Sequence, residues 1–470
     1  VDACTALNLA LPHLKPSKLW NRASRPVKLL NNKSNEQRGN EMGRGRILIY
    51  VLIFTACTIN YIDRVVLSVS APQIVKDFGI STIELGYLFS AFLWSYLVFV
   101  LPWGVYVDRA GTRVSTASGM AIWSIATLLT GMSSSFSVAF FNRLLMGFGE
   151  ASTYPAGART IREWMPAGER GLATTVFNCG GYAGPALGSI LMGFIVSTYG
   201  WRSGFFVAGT LGFIWLIAWL VYFRQPETAT FIGEDERRKI LAERGGDTIP
   251  GTAAPVSALL KCRSIWGTFV TQGCAVYTVY LFLTWLPTYL QATRGLTILK
   301  SGFYTAVPYA VAVPGTILIG WLSDRLLRGA PVESGRRRTL VATMMLCSSG
   351  ILLTPWITDT ALILGVFSIS LTCIGSAVGL NIALLNDLLR NPANIGRANG
   401  ILVTGGNLVG VAAPIVTGYV VSGTGNYDYA FLVAGLLLLV GASVCLIFTR
   451  DPIAPETETN NAELAYKAAP

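Results

Sequence analysis

Twelve apolar runs, each close to the twenty or so residues that a helix needs to cross a bilayer, constrain this chain more than any other feature. They cover roughly 47–70, 85–107, 114–132, 136–158, 171–197 and 203–223, then 265–289, 301–322, 339–356, 360–386, 398–422 and 428–449. In lipid a backbone must satisfy its own polar groups, so runs of this kind fold as spanning helices. The expected fold is an all-α membrane protein with twelve transmembrane helices. Composition agrees: of 470 residues, 52% are hydrophobic and 13% charged, against roughly 25% charged in a soluble domain. Mean hydropathy is +0.52. These values exclude a disordered chain, a disulfide-rich secreted module and a coiled coil.

The runs fall into two sets of six. Residues 47–223 are read as an N-terminal six-helix bundle, 224–264 as a cytoplasmic central loop, and 265–450 as a C-terminal six-helix bundle. Residues 451–470 read as a cytoplasmic tail. Within the central loop, Glu234–Lys239 is expected to be an amphipathic or exposed helix and not a site. Residues 1–46 form a basic tail, read as cytoplasmic, with an upstream extension or a transit-like targeting segment as the alternatives. No cleavable secretory signal is expected, because the first apolar run is long and lacks a small-residue cleavage pattern.

The net charge of +11 sits in the loops, as topology requires, and not on one face of a soluble fold. The chain is therefore expected to meet a lipid bilayer and no nucleic acid. With both tails and the central loop inside, the inner loops between runs hold nineteen Lys/Arg and the outer loops four: Lys76, Arg202, Arg294 and Lys300. The positive-inside rule then places both termini in the cytoplasm.

The halves repeat each other. Gly104-x-x-x-Asp108-Arg109 recurs as Gly320-x-x-x-Asp324-Arg325, each after a second run. Trp201-Arg-Ser-Gly-Phe-Phe-Val-Ala-Gly209 aligns with Tyr427-Asp-Tyr-Ala-Phe-Leu-Val-Ala-Gly435. Two matches in the same order point to one duplication, and parallel six-helix halves are a transporter architecture.

Several chemistries are disfavoured. The single histidine, His13, lies in the tail, so the body has no imidazole for a metal site, a catalytic triad or a proton relay. The eight cysteines form no CxxC pair and read as buried thiols. No Walker sequence follows a strand, so ATP-driven transport is not expected. No metal or cofactor is expected, and the expected energy source is a proton gradient. Proton chemistry must use carboxylates.

Gly104-Val-Tyr-Val-Asp-Arg-Ala-Gly-Thr-Arg113 resembles the loop 2–3 signature of the major facilitator superfamily. Asn60-Tyr-Ile-Asp-Arg64 and Arg143-Leu-Leu-Met-Gly-Phe-Gly-Glu-Ala-Ser-Thr-Tyr-Pro-Ala156 resemble the anion:cation symporter family within it. That family contains bacterial sugar-acid and aromatic-acid proton symporters and the sialin-like organic-anion transporters. The short first outer loop, about 72–84, is similar to that of the bacterial members. The resemblance implies that Asp63 and Glu150 handle protons, that Arg64 and Arg143 contact or orient the anion, and that Tyr96 contacts substrate. Some galactonate-type relatives carry a substrate-binding glutamine where this chain has Gly181, which puts that particular substrate in doubt.

The residues themselves support this reading. Asp63, Arg64, Arg143 and Glu150 lie inside apolar runs, where each charge costs at least about 2.5–3.5 kcal/mol. Arg143 and Glu150 are seven apart, on one helix face; Asn60 and Arg64 are one turn apart. An arginine fork binds a carboxylate in two places and keeps its charge. The two acids can exchange protons as burial and arginine pull their affinities in opposite directions. The bland alternative is a pair of structural salt bridges between the first and fourth helices. The second half offers neutral groups for solute hydroxyls and rings: Gln272, Tyr277, Tyr280, Thr284, Trp285, Tyr304, Asn381, Thr404 and Asn407. Asn178 in the fifth run is similar, and each of these is also a candidate for plain helix packing. Asp108, Arg109 and Arg113, with Asp324 and Arg325, are expected to form a charged latch between the bundles.

The expected activity is proton-coupled symport of an organic anion by alternating access, most simply a sugar acid of aldonate, hexuronate or aldarate type. Its partners are a small carboxylated solute and protons, and a monomer in the bacterial inner membrane is expected. An aromatic carboxylate, sodium coupling or uniport are alternatives within transport. A non-transporting receptor is the alternative of another class, and no nucleophile–base set suggests an enzyme.

Overall fold

In the computed structural model the described residues are 44–244, 254–327 and 334–453. The expectations placed on 1–43, with His13 and Cys4, on Arg328 and on 454–470 lie outside them. The first half is α1 (Arg44–Phe78), α2 (Thr82–Ala110), α3 (Thr112–Gly131), α4 (Phe136–Glu150), α5 (Thr153–Trp164), α6 (Arg170–Tyr199) and α7 (Trp201–Tyr222). Then come α8 (Glu234–Glu243) and the short α9 (Val256–Leu259). The second half is α10 (Arg263–Ala292), α11 (Ile298–Leu326), α12 (Arg336–Ser348), α13 (Thr360–Leu388), α14 (Ile395–Thr424) and α15 (Asp428–Phe448).

Among the described residues, eleven helical segments are long and apolar enough to cross a membrane. The expected 136–158 run is the exception, because it is split into α4 and α5 around Ala151 and Ser152. Pro155 explains the break. It has no N–H for the Ala151 carbonyl, and its ring crowds that carbonyl. The loosened turn is re-satisfied locally: Trp103 Nε1 donates to Phe148 O at 2.6 Å and Ser152 Oγ to Gly149 O at 2.8 Å. The 339–356 run also changes character. It is α-helical to Ser348 and a tighter 3-10 helix over Ser349–Trp356, a stretch that contains Gly350 and Pro355. The chain after α15 does not leave as a wholly polar tail. Ile453 is buried and its N–H donates to Leu388 O at 2.7 Å.

Within each half the long helices pack on one another: α1 lies along α6, α3 between α4 and α7, and α10 against α14 and α15. Three seams join the halves, α6 with α11, α2 with α14, and α1 with α10. At the ends near Gly79 and Gly425 these seams are tight. A Cβ on Gly302 would sit 2.4 Å from Ser189 O, and one on Gly418 would sit 2.7 Å from Thr82 O, so the backbones touch as only glycine permits. Phe89 and Trp285 meet edge to face with centroids 5.1 Å apart, and Thr288 Oγ1 donates to Ser68 O at 3.4 Å. Among the described residues the hydrogen bonds that cross between the bundles, Ser90 Oγ to Val411 O, Tyr87 with Tyr419 and Thr288 to Ser68 O, all lie toward this end, and none is found beside α8. The two bundles are thus closed at one end and parted at the α8 end.

Candidate functional site

The mid-length residues of α1 and α4 meet where the bundles begin to part. Glycines let α4 in close. A Cβ on Gly147 would lie 2.0 Å from Phe92 O of α2, and one on Gly149 would lie 2.7 Å from the Trp123 main-chain nitrogen of α3. This nesting brings Arg143 and Glu150 against α1.

Arg64 closes its fork on one oxygen of Glu150, with Nε and Nη2 at 2.9 and 2.8 Å from Oε2. Their side chains are 3% and 0% exposed, and Glu150 Oε1 has no partner. Aromatic faces surround the guanidinium: Tyr61, Phe92 and Tyr96 lie with centroids 4.6, 4.9 and 5.6 Å from its carbon. The second arginine is less satisfied. Arg143 Nη1 donates to the Asp63 main-chain carbonyl at 3.5 Å and approaches Met146 Sδ at 2.8 Å, while its Nε has no partner. Neither Asp63 carboxylate oxygen has a partner, and the residue is fully buried. The quartet therefore converges as one formed ion pair plus an arginine and an acid that do not pair. A reading in which each acid cancels one arginine does not describe this geometry. Residues 63 and 64 leave the helix about 100° apart, so they cannot both point at α4 in the same way.

Of the expected substrate residues, Tyr96, Tyr280 and Asn407 come together at Arg64. Tyr280 lies beside the guanidinium and donates to Asn407 Oδ1 at 3.2 Å. Gln272 and Asn381 instead bond to each other at 2.9 Å inside the second half, away from Arg64. Trp285 donates to Pro414 O at 3.3 Å and packs on Phe89, at the closed end. Asn178 is exposed on α6. Four tyrosines at the site were not named in advance. Tyr61 and Tyr154 bring their hydroxyls to 3.4 Å, Tyr182 sits against Gly375 of α13, and Tyr309 lies near both Tyr61 and Tyr182. Tyr61 and Tyr154 stand inside the two motifs already quoted, so that signal was present. Gly181 faces the Tyr61 ring, 3.4 Å from an added Cβ.

Two of the expected latch residues find partners within their own bundle. Asp108 meets Arg159 of α5 at 3.4 Å, and Arg113 donates to Leu220 O of α7 at 2.6 Å. Asp324 and Arg325 are exposed, and Arg109 likewise. Among the described residues no bond between bundles forms here, because these ends are the parted ones. Arg46 of α1 instead clasps Glu169 and Glu236, fixing α8 to the first bundle. Among the described residues no group of His, Cys, Asp or Glu could hold a metal ion.

The family model of the Major Facilitator Superfamily matches residues 53–389 and 332–469. The chain belongs to that superfamily. It is 33% identical over 417 residues to the probable galactarate/D-glucarate transporter GudP of Bacillus subtilis, covering 85% of this chain and 89% of that one. It is 32% identical over 423 residues to GarP of Escherichia coli K12, also a probable galactarate/D-glucarate transporter, covering 86% and 94%. Among solved structures, a D-xylose-proton symporter superposes with a TM-score of 0.66 at 14% identity, covering 86% of this chain and 97% of that one. A bacterial Spinster homologue in an inward-facing, occupied conformation gives 0.66 at 18%, covering 86% and 97%. These two show the shared fold. Within the superfamily the chain groups with transporters named for sugar acids. It is a multi-pass membrane transporter of small anionic solutes.

Proposed function

We propose that this facilitator couples the import of one sugar acid to protons, with Arg64 receiving the solute carboxylate and Glu150 receiving a proton. The Arg64–Glu150 pair carries the reading. An incoming carboxylate competes with Glu150 for the same fork, and protonating Glu150 releases that fork. Proton and anion then load together, and neither loads well alone. Tyr96, Tyr280 and Asn407 offer hydroxyl and amide groups to the solute hydroxyls, and the rings around Arg64 offer apolar faces to its carbon chain. Asp63 is the second proton carrier. Arg143 supplies standing positive charge behind the pair.

The names of the relatives make an aldarate such as D-glucarate the first solute to try. The loop charges support placing α8 and both termini in the cytoplasm, which makes the parted end the inner one. The protein then works as a monomer in the bacterial cytoplasmic membrane, and the latch residues meet across the bundles only when the inner end closes. The ring-lined fork also suits an aromatic carboxylate. A thermal-shift panel of sugar acids and aromatic acids on purified protein decides between them. The reading expects stabilisation by an aldarate at acid pH that Arg64→Ala abolishes. Stabilisation by aromatic acids alone would overturn it.

A further inference from the structure

Arg64 commits both near nitrogens to Glu150, and Arg143 reaches only the main chain of residue 63. The Asp63 carboxylate is thus left wholly buried with two unpartnered oxygens. Ionising such a group without a donor is costly. A carrier must still give up its proton once in every cycle.

A donor stands next to it on α3. Trp123 is 2% exposed, and its indole N–H also has no acceptor. It lies beside the Asp63 carboxylate, near enough to act on it, with no hydrogen bond yet formed. The glycine at 149 holds it there, because the backbone of α3 rests directly against α4 one residue before Glu150. Indole can donate but never accept. Its attraction for a carboxyl group therefore rises when the proton leaves.

We propose that Trp123 is a positioning residue for Asp63, its indole N–H closing on the carboxylate when the proton departs and loosening when the proton returns. This rests on Asp63 being a proton carrier. The charged groups around Asp63 are Glu150 and Arg143 from α4 and Arg64 from α1, and α3 supplies Trp123. The two acids thereby titrate in different surroundings, Glu150 against a guanidinium and Asp63 against an indole.

Trp123→Phe removes the N–H and keeps a ring in the same slot. Gradient-driven uptake of labelled D-glucarate into proteoliposomes is followed over a range of external pH. The variant is expected to reach the wild-type maximum at acid pH, with its profile displaced toward alkaline pH by about one unit. The displacement follows because Asp63, without its donor, keeps its proton to higher pH. A structural role for Trp123 would lower the rate at every pH and leave the midpoint in place. An unmoved midpoint in a variant that still takes up D-glucarate overturns the proposal. A wild-type protein indifferent to the pH gradient would overturn the symport reading instead. If Trp123→Phe does not fold, benzothienylalanine at position 123 keeps the bicyclic shape and replaces N–H with sulfur. The same titration of that protein supports the proposal if the midpoint moves and overturns it if it does not.

Discussion

Arg64 and Glu150 form a bond that the transport cycle must repeatedly break. A buried ion pair is worth little net stability against well-packed apolar groups, yet removing one partner strands the other and costs about 3–5 kcal/mol. Arg64→Ala should therefore lose both uptake and thermal stability. Arg64→Lys keeps the charge without the fork, and should keep most of the stability while losing uptake at least about tenfold. Uptake and melting temperature measured on the same preparations check both. Glu150→Gln should bind solute and exchange it across the membrane in counterflow, yet fail to concentrate it. At this scale the sequence was informative about identity and poor about pairing. Four charges in apolar runs could be seen to belong together, since each is too costly to leave alone. Which arginine takes which acid depends on a helix rotation of a few tens of degrees and on close approach at Gly147 and Gly149, and no spacing rule supplies that. Trp285 and Gln272 lie away from Arg64 for the same reason: a polar group in a span bonds whichever neighbour the packing provides.

At the scale of elements, the broken α4–α5 segment and the glycine seams set what can move. Pro155→Ala restores an N–H for the Ala151 carbonyl and should let α4 run on into α5, turning Glu150 relative to Arg64. Solute affinity should fall while the fold persists, as thermal shift with and without D-glucarate would record. Gly302→Ala places a methyl group against the Ser189 carbonyl, where an added Cβ has 2.4 Å. Backbone cannot give way as a side chain can, so the closed end should be wedged apart. A cysteine at Thr288, buried here at that end, should then react several-fold faster with a membrane-impermeant maleimide. An unchanged rate would mean that the seam yields elsewhere. The spans were legible because apolar length is a strong signal. The break was not, because averaging over 136–158 hides one proline whose effect reaches back a full turn.

For the whole molecule, duplication and charge asymmetry read directly from the sequence, since each leaves a repeated or counted pattern. The conformation did not. A transporter open to one side or the other buries nearly the same residue types, so composition is blind to which end has parted. Here the end near Gly79 and Gly425 is sealed, and the buried quartet lies between it and the parted end beside α8. Rocking the bundles about the quartet would expose it to the other side and bring Asp108 and Arg113 toward the second bundle. Because a proton on Glu150 is what frees Arg64, the cycle should run uphill for the anion only when protons run downhill.

That coupling is tested most directly by loading proteoliposomes at alkaline pH, diluting them into acid buffer with labelled D-glucarate, and comparing wild type with Glu150→Gln. The wild-type protein should accumulate the acid well above the outside concentration, and a protonophore should release it. Glu150→Gln should only equilibrate. Accumulation by Glu150→Gln equal to wild type, or wild-type accumulation that follows an imposed sodium gradient and ignores the pH gradient, would contradict the account.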